Sequence, residues 1–430
     1  MKHESAELTR KLSQGSEEEA TTYGFSSTSL TLYRCRDFIS VKRAVASIFE
    51  TYRNLLPKST HAKILVKPNL HMDLNSLMGN TTDLRIIISI IEELKKRGYE
   101  NIVIGDGTNC GMDRFGIDVL GRLGIRAIAH KYHIHAADLN QGPYQVVVLG
   151  DGLKAKVADI CLNADFFINI PKIKTHRLAT MSVALKSLIG CFQKMDKRKI
   201  HLALHDNIVK MNEVIRPHLL IVDGLIAKEG QGPAWGKPRR LDVLLAGTSP
   251  FLMDAFCARL IGFDLNEIEY LKIAASKGHL VEPDMEKLNE IKPLAYLKRA
   301  TPQRLVNFLA LPMLDPIRNF VRPFTDMKLI SKMLYLFRIR EDRYVQKDAK
   351  IDKMYVDRKA CNRCEHCLDF CPMGLPLIQE GFDFEQSDCI KCLYCYFICP
   401  QEAIVVEGNL GFIERAAKEY GEDIKKLVAA

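Results

Sequence analysis

Residues 166–176 have the sequence FFINIPKIKTH, in which five residues typical of a β-strand are followed at once by two lysines and a histidine. Similar apolar and β-branched runs lie at 63–66, 101–104, 146–149, 219–222 and 243–246. Between them, residues 83–97, 115–123, 179–190 and 250–261 have the pattern of helices. Strands that alternate with helices are typical of βα units on a parallel sheet. Residues 29–290 are therefore predicted to form a three-layer α/β domain with a mostly parallel sheet.

Polar and ionisable side chains follow four of these predicted strands, at the point where each strand ends. They are Lys67 and Asn69, then Asp106, then Lys172, Lys174 and His176, and finally Asp223. In open α/β sheets, ligands bind beyond the carboxyl ends of the strands, because loops and helix N-termini converge there. We expect these side chains to lie together at one edge of the sheet, and Lys186 to face either that edge or solvent.

The residue types favour an anionic ligand such as a carboxylate or a phosphate. Lys172, Lys174 and His176 are predicted to bind or protonate it, and Asp106 and Asp223 to organise the site, bind a metal or act as acid and base. Lys67, Asn69 and Lys186 are predicted to contribute to binding. For any one of these residues, the alternative is an ordinary charged loop residue in solvent.

Two glycine-rich loops, at 105–111 and 223–238, supply backbone N–H groups that favour anions. Neither has the GxGxxG pattern of dinucleotide-binding folds or the GxxxxGK pattern of P-loops. The sequence therefore gives no support for a nicotinamide or a Walker-type nucleotide site.

Near its end, the chain carries two copies of the pattern CxxCxxCxxxCP, 28 residues apart. The first contains Cys361, Cys364, Cys367 and Cys371, and the second contains Cys389, Cys392, Cys395 and Cys399. With this spacing, three thiolates of one loop reach one cubane and the fourth reaches the other. One 4Fe-4S cluster is thus predicted on Cys361, Cys364, Cys367 and Cys399, and a second on Cys389, Cys392, Cys395 and Cys371. Structural zinc sites, or clusters that only stabilise the fold, are the alternatives.

This part of the chain, about residues 354–407, resembles a bacterial-type ferredoxin with two 4Fe-4S clusters. The resemblance implies a small α+β ferredoxin-like iron-sulfur domain that transfers single electrons at low potential.

A second resemblance covers about residues 63–263. The motifs KPNL, NIPKIKTH, ALKSLIG, VDGLIAKEGQGP and GTSPFLMDAF follow one another in an order similar to that of the domain of unknown function 362 family. In that family the domain is often joined to a ferredoxin module. The family supplies no settled reaction, so the resemblance implies a fold and an architecture rather than a substrate.

The remaining composition bears on location. The chain has 430 residues and 13 cysteines, eight of them in the duplicated motif, and no stretch of signal-peptide or membrane-span type. Clustered cysteines of this kind are typical of metal or redox chemistry in a reducing compartment. A cytoplasmic location is expected.

The formal charge of +9 is unevenly distributed along the chain. Residues 1–28 are predicted to be a flexible tail, 291–350 a basic helical bridge, 351–408 the ferredoxin module and 409–430 a C-terminal helix. The bridge has 13 Lys and Arg against 5 Asp and Glu, whereas residues 351–408 have 5 against 10. This polarity suits docking of the bridge on the acidic module, or peripheral contact of residues 291–350 with a membrane. No nucleic-acid partner is expected, because the basic stretch has no recognisable nucleic-acid-binding motif.

Two functions follow from these patterns. The first is a redox enzyme of unknown substrate, which relays single electrons through two 4Fe-4S clusters to or from an anionic ligand at the strand-end edge. The second is a non-catalytic electron-transfer or accessory protein, whose α/β domain recognises a partner enzyme.

Overall fold

The structure is a computed structural model that describes residues 20–301 and 347–429. The strands among these residues are β1 Ala20–Gly24, β2 Ser29–Arg34, β3 Ile64–Pro68, β4 Ile102–Asp106, β5 His135–Asp138, β6 Tyr144–Val148, β7 Lys154–Ala158, β8 Phe166–Ile170, β9 Lys172–His176, β10 Thr180–Ser182, β11 Leu219–Glu229, β12 Lys237–Gly247, β13 Lys350–Val356 and β14 Ile404–Asn409.

The α-helices of the same residues are α1 Phe38–Thr51, α2 Leu84–Lys96, α3 Cys110–Arg114, α4 Val119–Arg122, α5 Ile125–Lys131, α6 Ile160–Asn163, α7 Ala184–Ser187, α8 Asp196–Ile200, α9 Leu204–Val214, α10 Pro250–Leu260, α11 Glu269–Ser276, α12 Glu282–Glu290, α13 His366–Phe370, α14 Tyr394–Ile398 and α15 Phe412–Ala429. Single 3-10 turns lie at Arg53–Leu55, Ser76–Met78, Gly150–Gly152, Leu188–Cys191, His201–Ala203 and Leu265–Glu267.

Ten of the described strands form one mixed sheet in the order β1-β2-β12-β11-β8-β3-β4-β5, with β9 beside β11 and β10 beside β9. Strands β11, β8, β3, β4 and β5 are parallel to one another, and β9 is parallel to β11. Strands β1, β2 and β12 extend the sheet in antiparallel fashion beyond β11. The carboxyl ends of the parallel strands therefore meet at one edge, as the α/β pattern predicts.

The sheet separates two hydrophobic cores, because neighbouring residues of each central strand face opposite sides. In β3, Ile64 and Val66 pack into the core that contains helices α1 and α2, whereas Leu65 packs into the core that contains α9 and α10. Phe166 and Phe167 of β8 divide in the same way. This arrangement is the predicted three-layer α/β fold.

Local capping fixes the helix that follows β3. The side chain of Asp83 accepts a hydrogen bond from the backbone N–H of Arg85 at 2.9 Å, and Lys95 and Lys96 lie in the last turn of α2. An anionic cap at the start and cations at the end both favour the helix dipole. The sequence predicts this helix within one residue at each end.

Three local predictions were wrong. The run at 146–149 is a strand of a separate hairpin, in which Val146 pairs with Lys156 of β7, rather than a strand of the main sheet. The predicted helix at 179–190 begins as strand β10 and becomes helical only at Ala184. The predicted helix at 115–123 is replaced by two short helices, Cys110–Arg114 and Val119–Arg122, separated by Gly116 at φ 67°.

The predicted flexible tail, residues 1–28, is too long. Residues 20–24 form β1, which pairs with β2 along its whole length. The Thr and Tyr residues of this stretch are β-formers whose backbone groups complete the edge of the sheet. Residues 1–19 lie outside the described residues.

The C-terminal part packs against the α/β domain. Strands β13 and β14 form a two-stranded antiparallel sheet beside the short helices α13 and α14, and α15 follows. Phe370, Tyr394 and Ile413 from this part belong to the same hydrophobic core as α1 and α2. The two parts therefore share one continuous core.

Most of the predicted basic helical bridge, residues 302–346, lies outside the described residues. Its first part, residues 291–301, carries no helix or strand. Over the described ranges, we find no helix with the length and apolar character needed to cross a membrane.

Candidate functional site

The two cysteine loops repeat one backbone conformation. Arg363 and Glu365 in the first loop, and Lys391 and Leu393 in the second, have positive φ values between 50° and 65°. They stand at equivalent positions relative to the first cysteine of each copy. Non-glycine residues rarely adopt this region, so its repetition in both copies indicates a constrained turn. Each turn winds tightly enough to bring three cysteines of one loop together.

The eight cysteines of these loops form no disulfide bonds, and their mutual repulsion places them in two groups of four. Burial, together with repulsion from Cys399, Cys364 and Cys361, raises the pKa of the Cys367 thiol to about 12. Cys399, the fourth cysteine of the second motif, therefore lies near three cysteines of the first motif.

The second group is defined in the same way. Burial raises the pKa of Cys395, and Cys392, Cys389, Cys371 and, last, Cys367 of the first group raise it further. Thiolates so close together repel one another strongly, and binding to a cationic cluster removes that cost. No three His, Cys, Asp or Glu side chains of the described residues converge on a single-ion site. Four cysteines in each group match the number of thiolates that hold one 4Fe-4S cluster.

Backbone donors also point at the cysteine sulfurs. The N–H of Leu375 lies 3.5 Å from Sγ of Cys371, and the N–H of Ala403 lies 3.3 Å from Sγ of Cys399. Hydrogen bonds to cluster-bound sulfur raise the reduction potential, so these contacts suit a tuned redox centre.

Tyr394, between two cysteines of the second group, joins the ferredoxin module to the α/β domain. Its buried hydroxyl lies 2.7 Å from Oγ of Ser76 and accepts a hydrogen bond from the backbone N–H of Leu84 at 3.2 Å. Nearby, the Arg85 guanidinium lies over the Phe370 ring at 4.4 Å and donates to the carbonyl of Asp369. The module thus docks on the loop and helix that follow β3, at the strand-end edge.

A cavity of about 210 Å³ lies at this edge, and we call it the strand-end cavity. Five of the eight residues predicted for the α/β site line it, namely Asn69, Asp106, Lys174, His176 and Lys186. Residues that the sequence reasoning missed also line it, including His71, Cys110, Lys197, Arg198 and His201. Cations outnumber acids in this lining, which favours an anionic ligand.

Lys67 lies beneath the cavity rather than in its wall. Its Nζ is 2.9 Å from Oδ1 of Asp106 and donates to the carbonyl of Ser187 at 2.9 Å, and both charged side chains are buried. Burial lowers the pKa of Lys67, but the attraction of Asp106 outweighs it, so the net shift is upward. This ion pair neutralises Asp106, which among the described residues is the carboxylate in the cavity lining.

The ion pair is covered by Gly190. A Cβ atom at this position would lie 2.0 Å from Oδ1 of Asp106 and 3.0 Å from Nζ of Lys67. The carbonyl of Gly190 accepts a hydrogen bond from the N–H of Gly107 at 3.0 Å, which ties the turn to the loop after β4. Only glycine allows the backbone to approach the pair this closely.

The lysines of the cavity differ in their partners. Nζ of Lys174 donates to Oδ1 of Asn69 at 2.7 Å and to the carbonyl of Asn80 at 2.6 Å. Nζ of Lys197 donates to the carbonyl of Thr108 at 2.7 Å. Lys186 makes no hydrogen bond or ion pair with any of the described residues, and burial lowers its pKa to about 8.

Two histidines of the cavity have complementary hydrogen-bonding states. Nδ1 of His176 accepts hydrogen bonds from the backbone N–H groups of Leu178 and Ala179, at 3.0 and 3.2 Å, so its proton is assigned to Nε2. Nδ1 of His201 lies 2.8 Å from the carbonyl of Lys197 and must donate, which leaves Nε2 as an acceptor. Burial lowers the pKa of His176 well below its usual range and that of His201 to about 4. At neutral pH, both rings are neutral.

Lys172 and Asp223 do not line the strand-end cavity, although the sequence predicts them there. They form a separate buried ion pair at 2.9 Å, and the backbone N–H of Asp83 also donates to the Asp223 carboxylate at 2.7 Å. Burial raises the pKa of Asp223, and repulsion from Asp83 adds to this, against the attraction of Lys172. Since the side chain of Ser76 donates to Asp83 at 2.9 Å, this network leads towards Tyr394 and the ferredoxin module.

A second cavity, of about 340 Å³, lies between the two parts of the protein, and we call it the interface cavity. Its lining includes Leu70, Asp73, Cys392 and Tyr394. Asn69 and His71 line the strand-end cavity, so residues 69–73 separate the two spaces. We call this segment the shared wall. One cysteine of the second group therefore lies across the shared wall from the cation-rich cavity.

Comparison with known proteins adds two family matches. Residues 64–259 match a model described as a domain of unknown function (DUF362), and residues 353–400 match a model described as a 4Fe-4S dicluster domain.

Two curated proteins and one solved structure are similar to parts of the chain. The thylakoid-associated protein sll1697 of Synechocystis sp. is 33% identical over 215 residues, which are 47% of this chain and 64% of that protein. The uncharacterized ferredoxin MJ0722 of Methanocaldococcus jannaschii is 34% identical over 61 residues, which are 13% of this chain and 78% of that protein. The lactate racemase apoprotein of Thermoanaerobacterium thermosaccharolyticum shares a TM-score of 0.33 and 12% identity, over 53% of this chain and 58% of that chain.

The match thus spans slightly less than two thirds of the length of the Synechocystis protein. The family matches confirm both resemblances that the sequence motifs indicated. The chain therefore carries a DUF362 domain at residues 64–259 and, in its C-terminal part, a ferredoxin-like 4Fe-4S dicluster domain at residues 353–400.

Proposed function

We propose that this protein is an iron-sulfur redox enzyme that exchanges single electrons with a small anionic ligand in the strand-end cavity. The dicluster domain gives the C-terminal part an electron-transfer role. The observation that carries the proposal is the shared wall, because the second cysteine group and the cation-rich cavity lie on its two sides. In this proposal, electrons pass from this group to the ligand through residues 69–73 and their neighbours.

In this proposal, two 4Fe-4S clusters store and deliver electrons one at a time. Cys361, Cys364, Cys367 and Cys399 hold one cluster, and Cys389, Cys392, Cys395 and Cys371 hold the other. The chain's own residues do the rest. Lys174, Lys197 and Arg198 attract the anion, the Nε2–H of His176 donates a hydrogen bond to it, and Nε2 of His201 accepts a proton.

The cluster content is tested by anaerobic reconstitution. Two clusters give about eight irons per chain and a low-temperature paramagnetic signal on reduction. Fewer than about seven irons, or no such signal, would contradict the assignment.

The cavity is tested with oxalate as a small dianionic probe and with a pair of neighbouring variants. Arg198 lines the cavity, whereas its neighbour Lys199 is exposed and does not. Arg198→Gln is expected to weaken oxalate binding about tenfold or more, because a hydrogen bond to a charged group contributes about 1.5–3 kcal/mol. Lys199→Gln makes the same change in charge and is expected to leave binding unchanged. Equal effects of the two variants would show that only the general field of the protein attracts the anion.

The same probe separates the enzyme from the alternative, an accessory protein whose α/β domain recognises a partner enzyme. In the enzyme, oxalate binding is expected to shift the reduction potential or the paramagnetic spectrum of the clusters. If oxalate binds and neither changes, the clusters do not communicate with the cavity and the accessory function is the better one. If oxalate does not bind, the anion site itself is wrong.

Location is a separate proposal. A reducing, cytoplasmic compartment suits two oxygen-sensitive clusters, whereas the Synechocystis relative is named a thylakoid-associated protein. Contact of residues 291–350 with a membrane is tested by flotation with anionic liposomes. Protein that stays out of the lipid fraction at low salt would contradict it.

A further inference from the structure

The binding of an anion does not by itself explain why Lys186 lies in the strand-end cavity without a protein partner among the described residues. Lys174 and Lys197, the other two lysines of the strand-end cavity, each donate hydrogen bonds to protein oxygens. Lys186 lines the same cavity, yet it has no hydrogen-bond or ion-pair partner among the described residues. The amine therefore lines the space in which a ligand would bind, and it makes no hydrogen bond or ion pair with the described residues.

The surroundings of Lys186 oppose a full positive charge on it. The acidic side chain that lines the cavity, Asp106, is occupied by Lys67 beneath it at 2.9 Å. Lys186 is close enough to lower the pKa values of Lys174, His176 and His201 by repulsion. Burial lowers its own pKa to about 8, against 10.5 for a free lysine. A fraction of the side chain is thus a neutral amine at neutral pH, with its lone pair available.

We propose that Lys186 is a nucleophile that forms an imine with a carbonyl-bearing acid, such as a 2-oxo acid, in the strand-end cavity. This inference rests on the proposed function in one respect, namely that the cavity binds an anion. It adds that the anion carries an aldehyde or ketone group beside its carboxylate.

The reaction is balanced without an oxidant or a reductant. Nζ of Lys186 attacks the carbonyl carbon, and a C–N bond forms. The carbonyl oxygen then leaves as water, which takes up the two protons that the nitrogen loses. His201 supplies an acceptor, Nε2, for the proton that leaves the nitrogen, and His176 supplies an Nε2–H donor for the departing oxygen. Arg198, which lines the same cavity, supplies a guanidinium for the carboxylate.

The inference is tested by trapping the imine in the full-length, cluster-loaded protein under anaerobic conditions. Glyoxylate is the probe, since it is the smallest acid with an aldehyde, and cyanoborohydride reduces any imine to a stable secondary amine. Intact mass is expected to show one adduct per chain, and peptide mapping is expected to place it on Lys186. Adducts spread over many surface lysines, or a single adduct on another lysine, would overturn the inference.

Two variants sharpen the result. Lys186→Arg keeps the charge but cannot form an imine, so the adduct is expected to disappear while the cluster absorbance stays unchanged. Lys199→Arg removes an exposed lysine and is expected to label like the wild type. If Lys186→Arg fails to fold, the peptide map of the wild type alone still decides.

Oxalate distinguishes failure of this inference from failure of the proposed function. It has the carboxylates of a substrate but no aldehyde, so it is expected to bind and to protect Lys186 from glyoxylate. If oxalate binds but glyoxylate gives no adduct at Lys186, the imine is wrong and the anion site stands. If glyoxylate labels Lys186 but the clusters do not respond to the adduct, the imine stands and the redox enzyme is wrong.

Discussion

The substitution Gly190→Ala places a methyl group in the buried ion pair beneath the strand-end cavity. The new Cβ would lie 2.0 Å from Oδ1 of Asp106 and 3.0 Å from Nζ of Lys67, so one of them must move. The turn cannot retreat freely, because the carbonyl of Gly190 is bonded to the N–H of Gly107. Leaving one member of a buried ion pair without its partner costs about 3–5 kcal/mol. We therefore expect Gly190→Ala to lower the free energy of unfolding by about 3 kcal/mol or more.

The measurement is urea unfolding under anaerobic conditions. Trp235, the single tryptophan of the chain, reports on the α/β domain, and the cluster absorbance reports separately on the ferredoxin module. Gly421→Ala is the matched control. Gly421 lies in α15 with nothing within 4 Å of its added Cβ, so alanine there is expected to stabilise by up to about 1 kcal/mol. If Gly190→Ala stays within about 0.5 kcal/mol of the wild type, the ion pair does not need the glycine and the reasoning fails.

Two further predictions concern buried hydroxyl and carboxyl groups. Tyr394→Phe removes the hydroxyl that contacts Ser76, and it is expected to lower the free energy of unfolding by about 1–3 kcal/mol. Tyr396→Phe, at a partly exposed ring, is the control and is expected to cost little. Equal losses for the two variants would contradict the docking role of Tyr394. Burial raises the pKa of Asp254 to about 7 from 3.8, although it accepts a hydrogen bond from Tyr270. Between these pH values the folded state holds a proton that the unfolded state has lost, so this group lowers stability as pH rises from about 4 to about 7, by an amount on the order of 2–4 kcal/mol. Asp254→Asn is expected to remove this dependence of stability on pH. Denaturant midpoints of both proteins are measured from about pH 4 to about pH 7, and parallel changes in the two proteins would refute the prediction.

The parts of the fold that the sequence predicts are those whose pattern is local. Phe166–Ile170 is a strand whose neighbouring residues alternate between two cores, so its composition alone identifies it. Asp83 caps α2 with its own side chain, which accepts a hydrogen bond from an N–H group only two residues away. Both signals lie within a few residues of the structure that they specify.

Strand β9 shows why the rest was not predictable. Its sequence, KIKTH, has the charge of a surface loop, yet all five residues are buried. Lys172 is neutralised by Asp223, which is 51 residues away, and Lys174 is held by Asn69, which is 105 residues away. Burial of these lysines depends on partners that only the folded chain brings near, and no local pattern reports them.

Some residues of the candidate site could likewise be predicted from the sequence, and others could not. Asn69 and His71 line the same cavity two residues apart, so extending the strand-end search by two positions would have found His71. Lys197 and His201 follow no strand of the sheet and come from a short helix and the turn after it. No strand-end signal leads to them.

The shared wall has a consequence for how this protein can change over evolution. Alternate side chains of residues 69–71 belong to different spaces, with Asn69 and His71 on the ligand side and Leu70 on the side of the second cysteine group. A substitution that reshapes the ligand space therefore also displaces the backbone that the other space is built on. Arg198 and His201 line the strand-end cavity and are absent from the lining of the interface cavity, so substitutions there change the first space without changing the wall of the second. In the proposed enzyme, a substitution in the shared wall would thus affect the ligand and the electron path together.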